Sequence, residues 1–162
     1  MNNYSPFHLI IITIIVVVFQ LFIPEFYFQG MKIIPDILII FLTYVGYKSG
    51  RVPAITLGFI LGLMQDFITQ VELLGVLAFA KSAVGFGMGS LTLYQTIWSK
   101  KLRLIFIFSI YLLHFFIFYF IQLNGTPVPI LYYFQIIFIQ SLICYSLLWI
   151  VDKIVMNNLL TS

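Results

Sequence analysis

Four side chains could do chemistry in a chain that is otherwise mostly hydrocarbon: Asp36, Asp66, Lys81 and His114. A carboxylate and an amine can pair, relay a proton or hold a polar ligand, and an imidazole can add a metal to that list. Each is costly in lipid and usually faces the interior of a helix bundle. Ala54, Gly58, Gly62 and Asp66 are spaced by four, which puts them on one helix face. The first three form a small-xxx-small stripe that lets another helix approach closely. Lys81, Gly85 and Gly89 repeat the spacing, overlapped by a second small stripe of Gly75, Ala78 and Ser82. A short connection between the two segments makes them antiparallel. The expected register sets Gly62 against Gly85, Gly58 against Gly89 and Asp66 against Lys81. At about 1.5 Å of rise per residue the last two differ in depth by about 4 Å, which a lysine spans. The spacing therefore predicts an Asp66–Lys81 ion pair and a helix-packing seam built on Ala54, Gly58, Gly62, Gly75, Gly85 and Gly89.

The other polar residues have plainer readings. Asp36 follows Pro35 at the start of an apolar segment, where a carboxylate satisfies free backbone N–H groups and the helix dipole. Glu72 precedes the next small-residue segment in the same way. Asp36, Asp66, Glu72 and Lys81 gather toward one half of the bilayer, so a shared polar site there stays open. His114, in YLLHFFIFYF, reads as a hydrogen-bonded interior residue rather than a ligand. Cys144 stands alone in an apolar run, so neither an internal disulfide nor a metal site follows from it. The chain has no HExxH, Walker A, GxSxG or CxxC pattern and no arguable Ser/His/Asp set. Catalysis, a bound metal and a cofactor are therefore not expected.

The elements that must position these groups are membrane spans. Apolar residues make up 62% of the 162 and charged residues 8%, against about 45–50% and about 25% in soluble domains. Eight basic and five acidic side chains are too few to cover a water-soluble surface of this size, and they form no patch dense enough for nucleic acid. Breaks in hydrophobicity divide one domain, residues 1–162, into six helical spans at about 7–23, 34–47, 52–69, 73–94, 102–123 and 128–151, lengths that suit a core of about 30 Å. The second is short, and must tilt little or sit where the bilayer is thin. The apolar runs do not alternate, so strands are not expected. The opening run lacks a basic leader and a small-residue cleavage site, and reads as an uncleaved span. With both termini in the cytoplasm, the inner side holds Lys48, Arg51, Lys100, Lys101, Arg103 and Lys153, and the outer loops only Lys32. That bias is the positive-inside pattern. Tyr4, Tyr27, Tyr47, Tyr94, Trp98, Tyr132, Tyr133 and Trp149 gather near the span boundaries, at headgroup level.

The stretch PDILIIFLTYVGYKSGRVPAITLGFILGLMQDFITQVELLGVLAFAKSAVGFGMGSL carries a resemblance. Pro35-Asp36 opening a short span, then Gly58, Gly62, Leu63 and Asp66 in a G-x-x-x-G-L-x-x-D pattern, then Leu74-Gly75 and Gly85, resemble the rod shape-determining protein MreD family. The specific part covers about residues 35–90, the rest agreeing in hydropathy; Lys81 has no fixed counterpart in the family. The resemblance implies a non-catalytic scaffold of the bacterial inner membrane, acting in cell elongation. Such a scaffold would bind an MreC-like protein and, directly or through it, the actin-like MreB and the peptidoglycan synthases; a homo-oligomer is left open. The family is similar in architecture to the membrane-embedded substrate-binding subunits of energy-coupling-factor vitamin transporters. That is the alternative function, and it needs a polar, aromatic-lined pocket on the outer side. An ion-coupled transporter is disfavoured by the scarcity of paired carboxylates.

Overall fold

The computed structural model describes residues 6–28, 31–69, 73–94, 96–125 and 129–154. Among these, six helices run in chain order: α1 (Pro6–Leu21), α2 (Ile37–Ser49), α3 (Arg51–Thr69), α4 (Val76–Tyr94), α5 (Lys100–Gln122) and α6 (Ile130–Ile154). α3 to α6 are long and apolar enough to cross a membrane, whereas α1 and α2 are shorter apolar helices.

Two short strands interrupt the all-helical expectation. β1 (Phe26–Phe28) and β2 (Met31–Ile33) pair antiparallel between α1 and α2, with Tyr27 opposite Lys32. The sequence does carry the cue: two apolar or aromatic runs flank the dipeptide Gln29-Gly30, the spacing of a two-residue hairpin. The apolar continuity of the chain hides it.

α2 and α4 form the centre. Eight of the thirteen residues of α2 are buried, all but one of them between Leu38 and Val45. By contrast α3 buries five of nineteen along one stripe. A helix enclosed by protein does not have to match the thickness of the surrounding lipid, so the shortness of α2 requires neither low tilt nor a thin bilayer. Its buried side chains Ile39, Leu42 and Tyr44 join Val84 and Met88 of α4, Ile107 and Tyr111 of α5, and Ile137 and Leu148 of α6 in one core. A smaller cluster of Val17, Leu38 and Leu61 attaches α1.

The seam between α3 and α4 is as close as the glycines suggest, but its register is different. A Cβ on Gly58 would lie 2.6 Å from the carbonyl oxygen of Lys81, and one on Gly62 would overlap the backbone of Leu77 and Ala78. A Cβ on Gly85 would overlap the Ala54 carbonyl, and one on Gly89 would lie 2.5 Å from the Cα of Arg51. Facing residue numbers thus sum to about 140, where the expected pairing summed to 147. The difference of seven residues is a slide of about two turns, or about 10 Å. Gly75 is not part of the packing seam at all. It stands before α4 with φ at +100°, and a Cβ there would meet nothing within 4 Å. Its use is conformational, since a left-handed backbone is easy only for glycine.

All six basic residues expected on the inner side lie at the ends of helices that meet. Arg51 Nε, at the start of α3, donates to Ser90 Oγ near the end of α4 at 2.9 Å. An Arg103 guanidinium N–H, at the start of α5, donates to the hydroxyl of Tyr47 near the end of α2 at 3.3 Å. The hydroxyl of Tyr44 donates to Asp152 near the end of α6 at 3.2 Å. The bundle therefore has a basic end and an opposite, far end.

Candidate functional site

At the far end the chain enters α2 through Ile34, Pro35 and Asp36, backbone outside regular structure that is largely buried. Such groups need partners from within the protein. Two glutamines supply them. Gln20 of α1 donates through Nε2 to the Pro35 carbonyl at 3.1 Å and accepts from the N–H of Ile37 at 2.8 Å. Gln140 of α6 donates to the Ile34 carbonyl at 2.7 Å and accepts from the hydroxyl of Tyr119 at 2.6 Å.

Asp36 is the N-cap of α2, as its position after Pro35 suggests. Its Oδ1 accepts from the N–H of Leu38 at 3.0 Å. Its own N–H points at Sγ of the buried, free Cys144, 3.5 Å away. The other carboxylate oxygen, Oδ2, forms an ion pair with Nζ of Lys81, which is fully buried. The same oxygen lies 3.7 Å from Nε2 of His114. Asp36, Lys81 and His114, from α2, α4 and α5, thus converge on one point. Asp36 is 4% exposed, Lys81 0% and His114 1%. A buried charge is tolerated when paired and hydrogen-bonded, and this pair meets both conditions.

Asp66 is therefore not the partner of Lys81. It is fully buried one element away, where its carboxylate accepts three backbone N–H groups at the α3–α4 turn: Gly75 at 2.9 Å, Leu77 at 3.1 Å and Ala78 at 3.2 Å. The first N–H groups of a helix have no partner within it, and the positive end of the helix dipole favours an anion there. This capping fixes the α3–α4 register. Counting depth from the two ends of the spans misses it, because the tight turn draws Asp66 level with Gly75 instead of Lys81. Of the other motif residues, Pro35 is buried, Leu63 half-buried and Leu74 exposed. Glu72 and Tyr4 lie outside the described residues.

His114 is interior, as expected, but not hydrogen-bonded. Neither ring nitrogen makes a hydrogen bond, although both are buried. Its ring stands edge-on to Phe115 with centroids 4.9 Å apart. No spacing pattern marks the buried Asp152, or the shared hydrogen bond between Thr43 and Tyr111 at 2.9 Å.

Beside the cluster lies a cavity of about 670 Å³. It is bounded by the ends of α1, α3 and α5, the start of α6 and the entry to α2, with Asp36 and His114 in its wall. No family model, curated protein or solved structure matches the chain.

Proposed function

We propose that this chain is a six-pass protein of the bacterial inner membrane, with both termini in the cytoplasm, that serves as a non-catalytic scaffold of the cell-elongation complex. In this reading the basic end faces the cytoplasm and the far end faces outward, which follows the positive-inside bias of Lys48, Arg51, Lys100, Lys101, Arg103 and Lys153. α1 and α2 complete the six passes as short helices, α2 sheltered by its neighbours. The partner is an MreC-like protein, and through it MreB and the peptidoglycan synthases.

One observation carries the reading. Apart from Leu63 and Leu74, the residues behind the MreD resemblance meet at the joints of a single three-helix unit. Pro35 and Asp36 open α2 and anchor Lys81 of α4; Gly58 and Gly62 admit the backbone of α4; Asp66 caps α4 at Gly75; Gly85 receives Ala54. A motif used to build the α2–α3–α4 unit, with both of its carboxylates committed to partners within that unit, suits a protein whose work is binding.

The test is affinity purification of the tagged full chain in mild detergent. Co-purification of an MreC-like protein and a wall synthase is the expected result. Recovery of an ATPase-coupled transmembrane subunit, with tight vitamin binding, would replace the scaffold by a transport subunit. Single-cysteine labelling at Lys48 and Lys101 from the cytoplasmic side checks the orientation.

A further inference from the structure

The exposed faces of α5 and α6 end in lysines at the basic end, and two ring contacts fix how these helices are matched. Phe108 of α5 stands edge-on to Tyr145 and Phe138 of α6, with centroids 5.4 and 6.1 Å apart. Further along, Tyr119 bonds Gln140, so the two helices run antiparallel. Lys101 stands seven residues before Phe108, and Lys153 eight after Tyr145. At about 1.5 Å per residue they lie about 10 and 12 Å beyond the same ring contact, at nearly one level. Seven residues make two turns, so Lys101 lies within about 20° of Phe108 around α5. Trp149 follows Tyr145 by one turn on the same face of α6. The ammonium of Lys153 lies 5.2 Å from the centre of that indole ring. Both lysines therefore stand at the mouth of one seam.

The charge around that mouth has one sign. Lys100, Lys101 and Lys153 are exposed, whereas Arg51 and Arg103 are bonded to Ser90 and Tyr47. Among the described residues Asp152 is the one carboxylate at this end. It is 1% exposed and accepts from the hydroxyl of Tyr44. Exposed cations with no exposed carboxylate beside them complement an anion. Packed helix axes lie about 8–10 Å apart, so lysines from the two helices can reach one phosphate.

Away from the lysines the seam is apolar. Phe108 and Tyr145 are half-buried, while Ile105, Trp149 and Phe138 are 61%, 52% and 50% exposed. Ser109 and Ser146, exposed among them, bond carbonyls of their own helices. Neither exposed face carries the small-xxx-small pair that lets a further helix come close, in contrast to Gly58 and Gly62 on α3. A surface of rings and branched chains suits a flexible acyl chain better than a rigid helix. Basic pockets between membrane-spanning helices are a known form of site for anionic lipid head groups. We propose that the α5–α6 seam holds one anionic phospholipid, its phosphate shared by Lys101 and Lys153 and an acyl chain laid against Ile105, Phe108, Tyr145 and Phe138. The inference requires that α5 and α6 cross a membrane, for which both are long and apolar enough. It does not depend on the scaffold reading.

The experiment is native mass spectrometry of the full chain, released from detergent after titration with phosphatidylglycerol or with phosphatidylcholine of the same acyl chains. One phosphatidylglycerol per chain is expected, held at least tenfold more tightly than phosphatidylcholine. Lys101→Gln and Lys153→Gln should each weaken it about fivefold, the share of one lysine beside an anionic surface. Lys48→Gln removes the same charge from the same end, on α2 instead of the seam, and should change binding less than twofold. Glycerol phosphate carries the anion without the chains, and a hundredfold excess of it should not displace the lipid. Equal retention of the two lipids overturns the proposal, as does binding that both seam variants leave unchanged. A loss with Lys48→Gln as large as with Lys101→Gln also overturns it, since attraction would then belong to the whole basic end. Displacement by glycerol phosphate overturns it too, by reducing the seam to a site for the anion alone. Lys101 and Lys153 are both exposed, so their variants test the site and not the fold.

Discussion

Two buried carboxylates at the same end of the bundle keep their charge away from water by different means. At the entry to α2, Asp36 is matched by a cation, Lys81, brought from α4. At the α3–α4 turn, Asp66 is matched by three backbone N–H groups of the helix it caps. The first solution depends on helices that are distant in sequence, the partners standing 45 positions apart. The second is local, closing over 9 to 12 residues. A charge met by another charge ties the bundle together across its middle. A charge met by amides fixes one turn and, through it, the register of one seam.

The comparison can be broken most directly at Lys81. Lys81→Met should cost about 3–5 kcal/mol, because it leaves Asp36 as an uncompensated buried charge. Adding Asp36→Asn should recover a large part of that loss, read as thermal unfolding of the purified protein in detergent. Asp66→Ala comes next, at about 1–3 kcal/mol for stranded N–H groups. Its effect should add to that of Lys81→Met within about 0.5 kcal/mol, as for sites in separate networks. Strong coupling in that cycle would restore an Asp66–Lys81 contact. Gly62→Leu should destabilise by about 1–3 kcal/mol or more by forcing α3 off the backbone of α4, with loss of compactness in size-exclusion profiles. The smallest effect is expected at Gly75, where Gly75→Ala should cost about 1 kcal/mol for backbone strain alone, while Gly75→Asn should cost less because asparagine tolerates positive φ.

How much of this was legible follows the same division. The positions of the helices came from hydropathy, to within a few residues at each end. α3 was expected at 52–69 and runs Arg51–Thr69; α4 was expected from 73 and begins at Val76, after the Gly75 turn. The close faces of α3 and α4 came from the small residues. The register did not, and the reason lies in the stripes themselves. Small residues recur along Ala54, Gly58 and Gly62 and along Gly75, Ala78, Ser82, Gly85 and Gly89, so a slide of two turns again puts small residues face to face. Only the cap at Asp66 breaks that degeneracy, and it is a tertiary event. The Asp36–Lys81 pair was illegible for a related reason: it requires α2 beside α4, and no local pattern reports which non-adjacent spans meet. The polar residues that finish the site, Gln20 and Gln140, carry no spacing signal, because each bonds irregular backbone distant in sequence.

The enclosure of α2 has a consequence for how the chain is made. Asp36 emerges from the ribosome 45 residues before Lys81, a gap of about 2–9 s at about 5–20 residues per second. During that interval α2 has neither its cation nor the walls of α4, α5 and α6 around it. Its carboxylate and its apolar side chains are covered by residues that come later in the chain, so its burial is complete only after those segments arrive.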